Sequence, residues 1–374
     1  MSNPILQFGT SRFLQAHVDL FVAEAARCKP SKALGRITVV QSTSNVESRA
    51  RIDALRASNV YPVRIRGRKG TATIDVTVQC DAITEALNAA DDWPTLRERI
   101  RHDVKVIVSN TGDTGYATFD DDATRQFGEH SPPRGFPAKL AVLLHDRFIA
   151  GAEPLTLLPC ELVSHNGDTL RDLVIGLAQQ WHADDAFIRY LQRDCIWVNS
   201  LVDRIVSEPI QPVGAIAEPY ALWAIERQPG MVLPCEHPDI VLTDDLAHYE
   251  RLKLLLLNLG HTMLAELWLA GQSAADANAT VLDAMRNDTW RATVESTWHD
   301  EVLPLFDALG QHDAARAYLV DVRDRFENPF LDHRLSDIAR NHAEKKQRRF
   351  KPAVELARQL GLNIDQRRLI AALS

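Results

Sequence analysis

The run Val104-Lys105-Val106-Ile107-Val108-Ser109 constrains the first half of the chain more than any other stretch. Apart from Lys105 and the closing Ser109 it is apolar without alternation, so it has no face to turn to water and must be covered on both sides. Such a strand belongs in a parallel sheet between helices, and the neighbouring patterns supply them. Ile5–Phe8 reads as a strand closed by the turn Gly9-Thr10-Ser11, and residues 13–27 carry helical spacing. Ile37–Gln41 is a second, β-branched strand, followed by a polar helix over Val46–Ala57 and strand-like runs at 61–66 and 73–80. Helices are predicted at 83–90, Trp93–His102 and Phe136–Ile149, and a further buried strand at 155–158. The fold class is α/β, a Rossmann-like domain with a mainly parallel sheet.

From about residue 241 the pattern turns helical, with runs at 242–270, 273–286, 289–309, 314–328, 335–340, 353–360 and 365–372. Proline-rich segments at 208–212 and 233–238 precede the change. Two domains follow: residues 1–240 for a dinucleotide and 241–374, mostly helical, for a substrate.

A formal net charge of −8 argues against general nucleic-acid binding, which needs a strongly basic face. The five cysteines are scattered without a CxxC pair, and Cys235, His237 and His165 lack metal-ligand spacing, so neither a disulfide framework nor a metal is expected. The first strand begins within a few residues of Met1, and the leucine-rich stretch 252–259 is too short for a bilayer. The expectation is a cytoplasmic protein without membrane or nucleic-acid partners, its oligomeric state open.

Strand, glycine turn and helix within 25 residues are the layout of a dinucleotide-binding unit, in which helix amides face the pyrophosphate. Only Gly9 of the glycine fingerprint is present, with Ser11 at the second position, so an ordinary strand-to-helix turn fits the pattern equally well. At the end of the second strand, where an acidic residue would bind the ribose of NAD, stands Gln41-Ser42-Thr43; Arg49 and Arg51 leave NADP open. Asn110-Thr111-Gly112-Asp113 would form a second cofactor-facing loop.

The helix 250–261 carries leucines in nearly every direction and is predicted to be central and buried. Lys253, Asn258 and His261 share an arc of about 140° on it. Singly, each has an ordinary reading: a snorkelling lysine, an asparagine on backbone, a satisfied core histidine. Together in a leucine helix they are costly unless they line a cavity. There a lysine serves as acid or base, an amide polarises a carbonyl oxygen, and a histidine holds a hydroxyl. Glu161, after the strand at 155–158, is placed to tune Lys253 by charge, whereas Cys160 reads as a packing thiol. The basic run 345–351 reads first as solvated, with one or two cations available to a carboxylate or phosphate.

Lys253-x4-Asn258-x2-His261 also resembles the signature of the polyol-specific long-chain dehydrogenases, the mannitol dehydrogenase family. Phe8-Gly9-Thr10-Ser11-Arg12-Phe13 is similar to that family's cofactor turn, and Val202-Asp203-Arg204-Ile205, Glu218-Pro219 and Arg325-Phe326-x-Asn328-Pro329 agree in order. Pro159-Cys160-Glu161-Leu162, Asn166-Gly167-Asp168 and residues 328–333 are most similar to the tagaturonate-reducing, altronate-oxidising branch. The resemblance implies metal-independent hydride transfer with NAD, NADP not excluded, reducing a keto-uronate (tagaturonate or fructuronate) to an aldonate. It implies Lys253 as acid/base, Asn258 and His261 on the reacting oxygen and substrate, Asp203 in the active site, and Asn166, Arg325 and Lys345 near substrate. Leu162 stands where polyol-oxidising members carry Asn, which removes one oxyanion donor and suits the uronate branch; Asn166 is the candidate replacement. The alternatives are a hexitol or hexitol-phosphate dehydrogenase and a catalytically silent nucleotide-binding protein.

Overall fold

The computed structural model describes residues 3–112, 115–271 and 278–374. Two compact units emerge. The first comprises Met1–Arg64, Thr77–Ala217 and Ala221–Leu246; the second comprises Ile65–Val76, Glu218–Tyr220 and Ala247–Ser374.

The strands are β1 (Ile5–Phe8), β2 (Ile37–Gln41), β3 (Tyr61–Lys69), β4 (Ala72–Cys80), β5 (Ile83–Asn88), β6 (Val106–Ser109), β7 (Leu155–Pro159), β8 (Cys195–Trp197), β9 (Ser200–Asp203), β10 (Val206–Pro209), β11 (Ala215–Ala217), β12 (Leu222–Glu226) and β13 (Ile240–Thr243). The first unit is built on a parallel sheet in the order β5-β2-β1-β6-β7-β8. Every residue of β1, β2, β6 and β7 is buried, as the unbroken apolar runs require. Trp93, Leu96 and Ile100 from one helix and Leu140, Leu143 and Leu144 from another pack with Phe8, Val40 and Ile107 into one core. β9, β12 and β13 form a small separate sheet.

Two expectations fail here. Residues 83–90 are not a helix: Ile83–Asn88 pairs in parallel with β2 as the sheet's edge, so tertiary pairing outweighs the helix preference of Glu85, Ala86 and Leu87. Residues 13–27 do not form one helix either. A single turn, α1 (Arg12–Gln15), ends before His17, and α2 (Val18–Cys28) starts afresh.

The second unit packs helices around Leu255, Leu256, Leu264, Trp298, Phe306 and Phe326. Leu246–Ala270 is its central helix, 25 residues long and apolar enough to cross a membrane by length and composition, yet mostly buried here among its neighbours. The helical pattern from 242 is corrected at its start, because Ile240–Thr243 is a strand paired with β12. The run 289–309 is also interrupted, since Thr297–Val302 is a π-turn between two α-helices. The beginning of the helix at 273–286 lies outside the described residues, and Val281–Arg286 is helical.

Asp19 on α2 is wholly buried, and Tyr61 Oη donates to its Oδ2 at 2.8 Å. Burial pushes its carboxyl up to about 7, against hydrogen bonds from Tyr61 and Gln7 that pull it down. A folded-state pKa above the unfolded value near 3.8 means that the folded chain holds the proton more tightly. That stability is full at acid pH and is lost as pH rises towards 7, by about 4 kcal/mol at about 1.4 kcal/mol per unit. Asp19→Asn should therefore gain thermal stability relative to the parent as pH rises from 4.5 to 8. A gap in melting temperature that stays constant over that range would exclude Asp19 as the titrating group.

Candidate active site

In the first unit, β1 lies between β2 and β6, so the loops leaving these three strands converge at the carboxyl edge of the sheet, where the strand order reverses. Gly9, Thr10, Ser11, Gln41, Ser42, Thr43, Asn110, Thr111 and Gly112 line a cavity of about 160 Å³ there, together with Ser48 and Arg51. Gly9 is at φ +116°, and a Cβ on it would stand 2.4 Å from the Asn110 carbonyl oxygen. The turn thus needs glycine both for its backbone and for its close approach. Ser11 caps α1, its Oγ accepting from Leu14 N at 3.4 Å.

The residues around this cradle divide into those that face it and those that hold it. Phe8 is buried in the core against Phe136, and Phe13 lies edge-on to His17. Gln41 uses its side chain internally: Nε2 donates to the carbonyls of Thr43 (2.8 Å) and Asn45 (2.9 Å), and Oε1 accepts from Asn88 (2.8 Å). Glu161 is buried beneath the other loop. Its carboxylate accepts from Thr111 N (3.0 Å), Thr111 Oγ1 (2.9 Å) and Ser109 Oγ (3.0 Å), while burial pushes its pKa up. These bonds make Glu161 the anchor of the Asn110–Gly112 loop. Asp113, the last residue of that predicted loop, lies outside the described residues.

Asn166 is also committed. Its Nδ2 has the carbonyls of Pro159, Glu161 and Ser200 within 3.1 Å, and its Oδ1 accepts from Ser200 N. Two amide hydrogens facing three acceptors leave none for a substrate oxygen, so Asn166 pins the β7 exit to β9. Leu162 is 75% exposed. Asp203 ends β9, buried, opposite Leu222. His237 pairs with Glu24 at 3.0 Å, and Cys160 is buried with its thiol pushed well up by burial. Among the described residues no three His, Cys, Asp or Glu side chains are grouped to hold a metal.

In the second unit, the stretch Lys253–Asn258 is a π-turn, with Leu259 N–H reaching back five residues to Leu254 O. Isolated π-turns inside α-helices occur often at functional sites. The wider turn brings Lys253 and Asn258, five residues apart, closer to one line than the 140° separation expected of an α-helix. It also frees carbonyl groups in an apolar core, and these find partners. Trp298 Nε1 donates to Leu256 O at 3.0 Å, while Asn258 O accepts from Thr262 Oγ1 (3.0 Å) and Arg349 Nη1 (3.3 Å). Gly260 makes room for the indole, since a Cβ there would lie 2.4 Å from Trp298 Cζ2.

His261, one turn on, is buried between Phe326 (4.3 Å, stacked) and His333 (4.7 Å, edge-on). Its pKa is held well below the usual imidazole range by burial first, then by His333, Arg325, Arg349 and Lys345. His333 falls to about 4 by burial and by Arg325. Both rings are neutral at pH 7, in a field set by cations.

The Arg325-Phe326-x-Asn328 motif works as a clasp. Arg325 forms a buried two-point pair with Glu218 (2.9 and 3.1 Å) and lies over Tyr220, while Asn328 donates to Arg66 O at 3.2 Å. Lys345 donates to Ile338 O at 2.7 Å. The basic run is solvated on one side only: His342–Arg349 is a helix with Gln347 and Arg348 exposed, on which Lys345 and Arg349, four residues apart, share a half-buried face. That spacing could have revealed Arg349; His333 stands in the stretch 328–333 that resembles the uronate branch but is given no role there, and nothing in the sequence marks Trp298.

Family models for the mannitol dehydrogenase Rossmann domain and the mannitol dehydrogenase C-terminal domain match residues 3–232 and 245–374. The chain belongs to the mannitol dehydrogenase family. It is thus an oxidoreductase acting on a CH–OH group, and the family resemblance carried by Lys253, Asn258 and His261 is borne out. Altronate oxidoreductases from Klebsiella pneumoniae and Halalkalibacterium halodurans are 30% and 29% identical, each over 93% of this chain, covering 74% and 69% of those relatives. In fold, the chain is similar over its whole length to a substrate-free D-sorbitol dehydrogenase (TM-score 0.82, 18% identity, 80% of that chain). It is also similar to Pseudomonas fluorescens mannitol 2-dehydrogenase in a ternary complex with NAD and D-mannitol (TM-score 0.73, 18% identity, 78% of that chain).

Two variants test these supports. Gly9→Ala should weaken dinucleotide binding at least about tenfold, about 1.4 kcal/mol, in a fluorescence titration of the folded protein; unchanged affinity would remove the turn from the cradle. Trp298→Phe removes the indole N–H donated to the Leu256 carbonyl together with part of the buried ring, which should cost about 1–3 kcal/mol in urea unfolding.

Proposed function

We propose that the chain is an NAD(P)H-dependent reductase of a keto-uronate, tagaturonate or fructuronate, forming the corresponding aldonate in the cytoplasm. The observation that carries the anionic substrate is the cation field of the second unit. Arg349 and Lys345 donate to neutral acceptors and so keep their charge beside His261, and with Arg325 they disfavour protonation of it and of His333. A neutral hexitol needs no such field, whereas a sugar carboxylate is stabilised by it. The altronate oxidoreductase relatives support the same substrate class.

The first unit suits a dinucleotide by its glycine turn, its converging strand ends and the Thr111 loop anchored on Glu161. The cofactor, when bound, supplies the hydride for the keto carbon. Lys253 gives a proton to the keto oxygen as that oxygen gains charge, and it removes the proton in the reverse direction. The Asn258 amide donates to the same oxygen, a bond that strengthens as the alkoxide develops. His261, neutral and held flat on Phe326, orients a substrate hydroxyl. Asp203 is assigned a supporting role in the active site, and Arg325, clasped by Glu218, holds the adjoining Phe326 against His261 and so acts on the substrate site by position.

Lys253→Ala should lose about 10²- to 10⁴-fold in kcat while still binding dinucleotide. A near-parental rate would remove Lys253 from its role, and dinucleotide binding without turnover by the parent would favour the silent-protein reading. NADH oxidation should be fast with tagaturonate or fructuronate; turnover confined to fructose and fructose 6-phosphate would overturn the uronate assignment.

A further inference from the structure

We propose that the end of β2 accepts a phosphate on the adenosine ribose, so that the enzyme uses the 2′-phosphorylated dinucleotide, NADPH, as readily as NADH. This rests on the dinucleotide reading above. Folds that select NAD place an aspartate or glutamate at this strand end, where it takes the ribose hydroxyls and repels a phosphate. Here the strand ends on Gln41, followed by Ser42, Thr43 and Ser44.

Gln41 does not replace the carboxylate. Its amide holds the carbonyls of Thr43 and Asn45, and its own oxygen is taken by Asn88. Two carbonyl acceptors that would repel a phosphate are thereby turned onto Gln41. The hydroxyl-bearing loop Ser42–Ser44 lines a cavity of about 530 Å³ whose walls include Arg49, Arg134 and Lys139. Ser42 and Thr43 also line the smaller cradle, where Arg51 stands. Among the described residues, neither lining contains an aspartate or glutamate.

The cations are not equivalent. Arg49 is already paired with Asp91 at 2.5 Å, so it adds little net charge. Arg51 is held in place by Ser48 Oγ (3.1 Å) and Thr10 Oγ1 (3.5 Å). Its carboxylate neighbour Glu47 is 4.0 Å away with its side chain 84% exposed. Such a pair is weak in water, so Arg51 keeps most of its charge for a bound anion. Burial and the nearby Arg12 also disfavour its charged form, which an incoming phosphate would relieve. Arg51 and the Ser42 and Thr43 hydroxyls are therefore assigned as the phosphate's partners.

The test is a fluorescence titration of the full-length protein with NADH and with NADPH, alongside kcat/KM for each. The two dissociation constants should lie within about tenfold of each other. Arg51→Gln should weaken NADPH at least about tenfold more than NADH, and Ser42→Asp, which restores a carboxylate, should do the same. NADH bound with NADPH excluded, or Arg51→Gln affecting both equally, would overturn the proposal and leave the dinucleotide reading intact. Binding of neither would overturn both.

Discussion

Everything the first unit can do depends on how closely two backbones meet at the end of β1. Phe8 pairs in register with Val40 on one side and Ser109 on the other, so three strands end at one level. The chain is then stitched across that edge: Gly9 N–H donates to Val40 O, and Asn110 N–H donates to Phe8 O. No side chain fits between Gly9 and the Asn110 carbonyl. A single glycine therefore suffices where a fuller fingerprint is usual, because the neighbouring loop is fixed independently by the buried Glu161. The cradle is rigid from below, which leaves its chemistry to the few side chains at its rim.

The second unit meets a different constraint with the same means. A π-turn in a leucine core leaves carbonyls without their usual donors, and an unpaired buried carbonyl is costly. An indole, a threonine hydroxyl and an arginine supply what the helix cannot. Trp298 itself sits in the other π-turn, Thr297–Val302, so each irregular turn is braced through the other. Lys253 and Asn258 occupy the two ends of a segment that is defined, not merely permitted, by its packing.

Much of this was legible from residue pattern. The unbroken apolar runs give the parallel sheet, and the leucine helix identifies Lys253, Asn258 and His261 as out of place in a core. Two kinds of information were not. The strand Ile83–Asn88 has a helix former's composition and becomes a strand because β2 needs a partner. The committed states of Asn166 and Gln41 depend on which carbonyls surround them, and no local spacing encodes that. A polar residue in a family position was therefore easy to read as a ligand contact when it is a brace.

The charge distribution follows from the same distinction between braces and free groups. A formal net charge of −8 opposes an anionic substrate only diffusely, because salt screens exposed charges beyond about 8 Å. What the carboxylate of the proposed substrate would meet is local. Arg325 is matched by Glu218 at 2.9 Å, so its charge is largely cancelled where it stands. Arg349 and Lys345 instead donate to neutral acceptors, the Asn258 carbonyl and Thr262 hydroxyl for one and the Ile338 carbonyl for the other. Hydrogen bonds to neutral groups fix a cation without neutralising it. Beside His261 the fold therefore holds positive charge in place, and the proposed sugar-acid substrate rests on that arrangement.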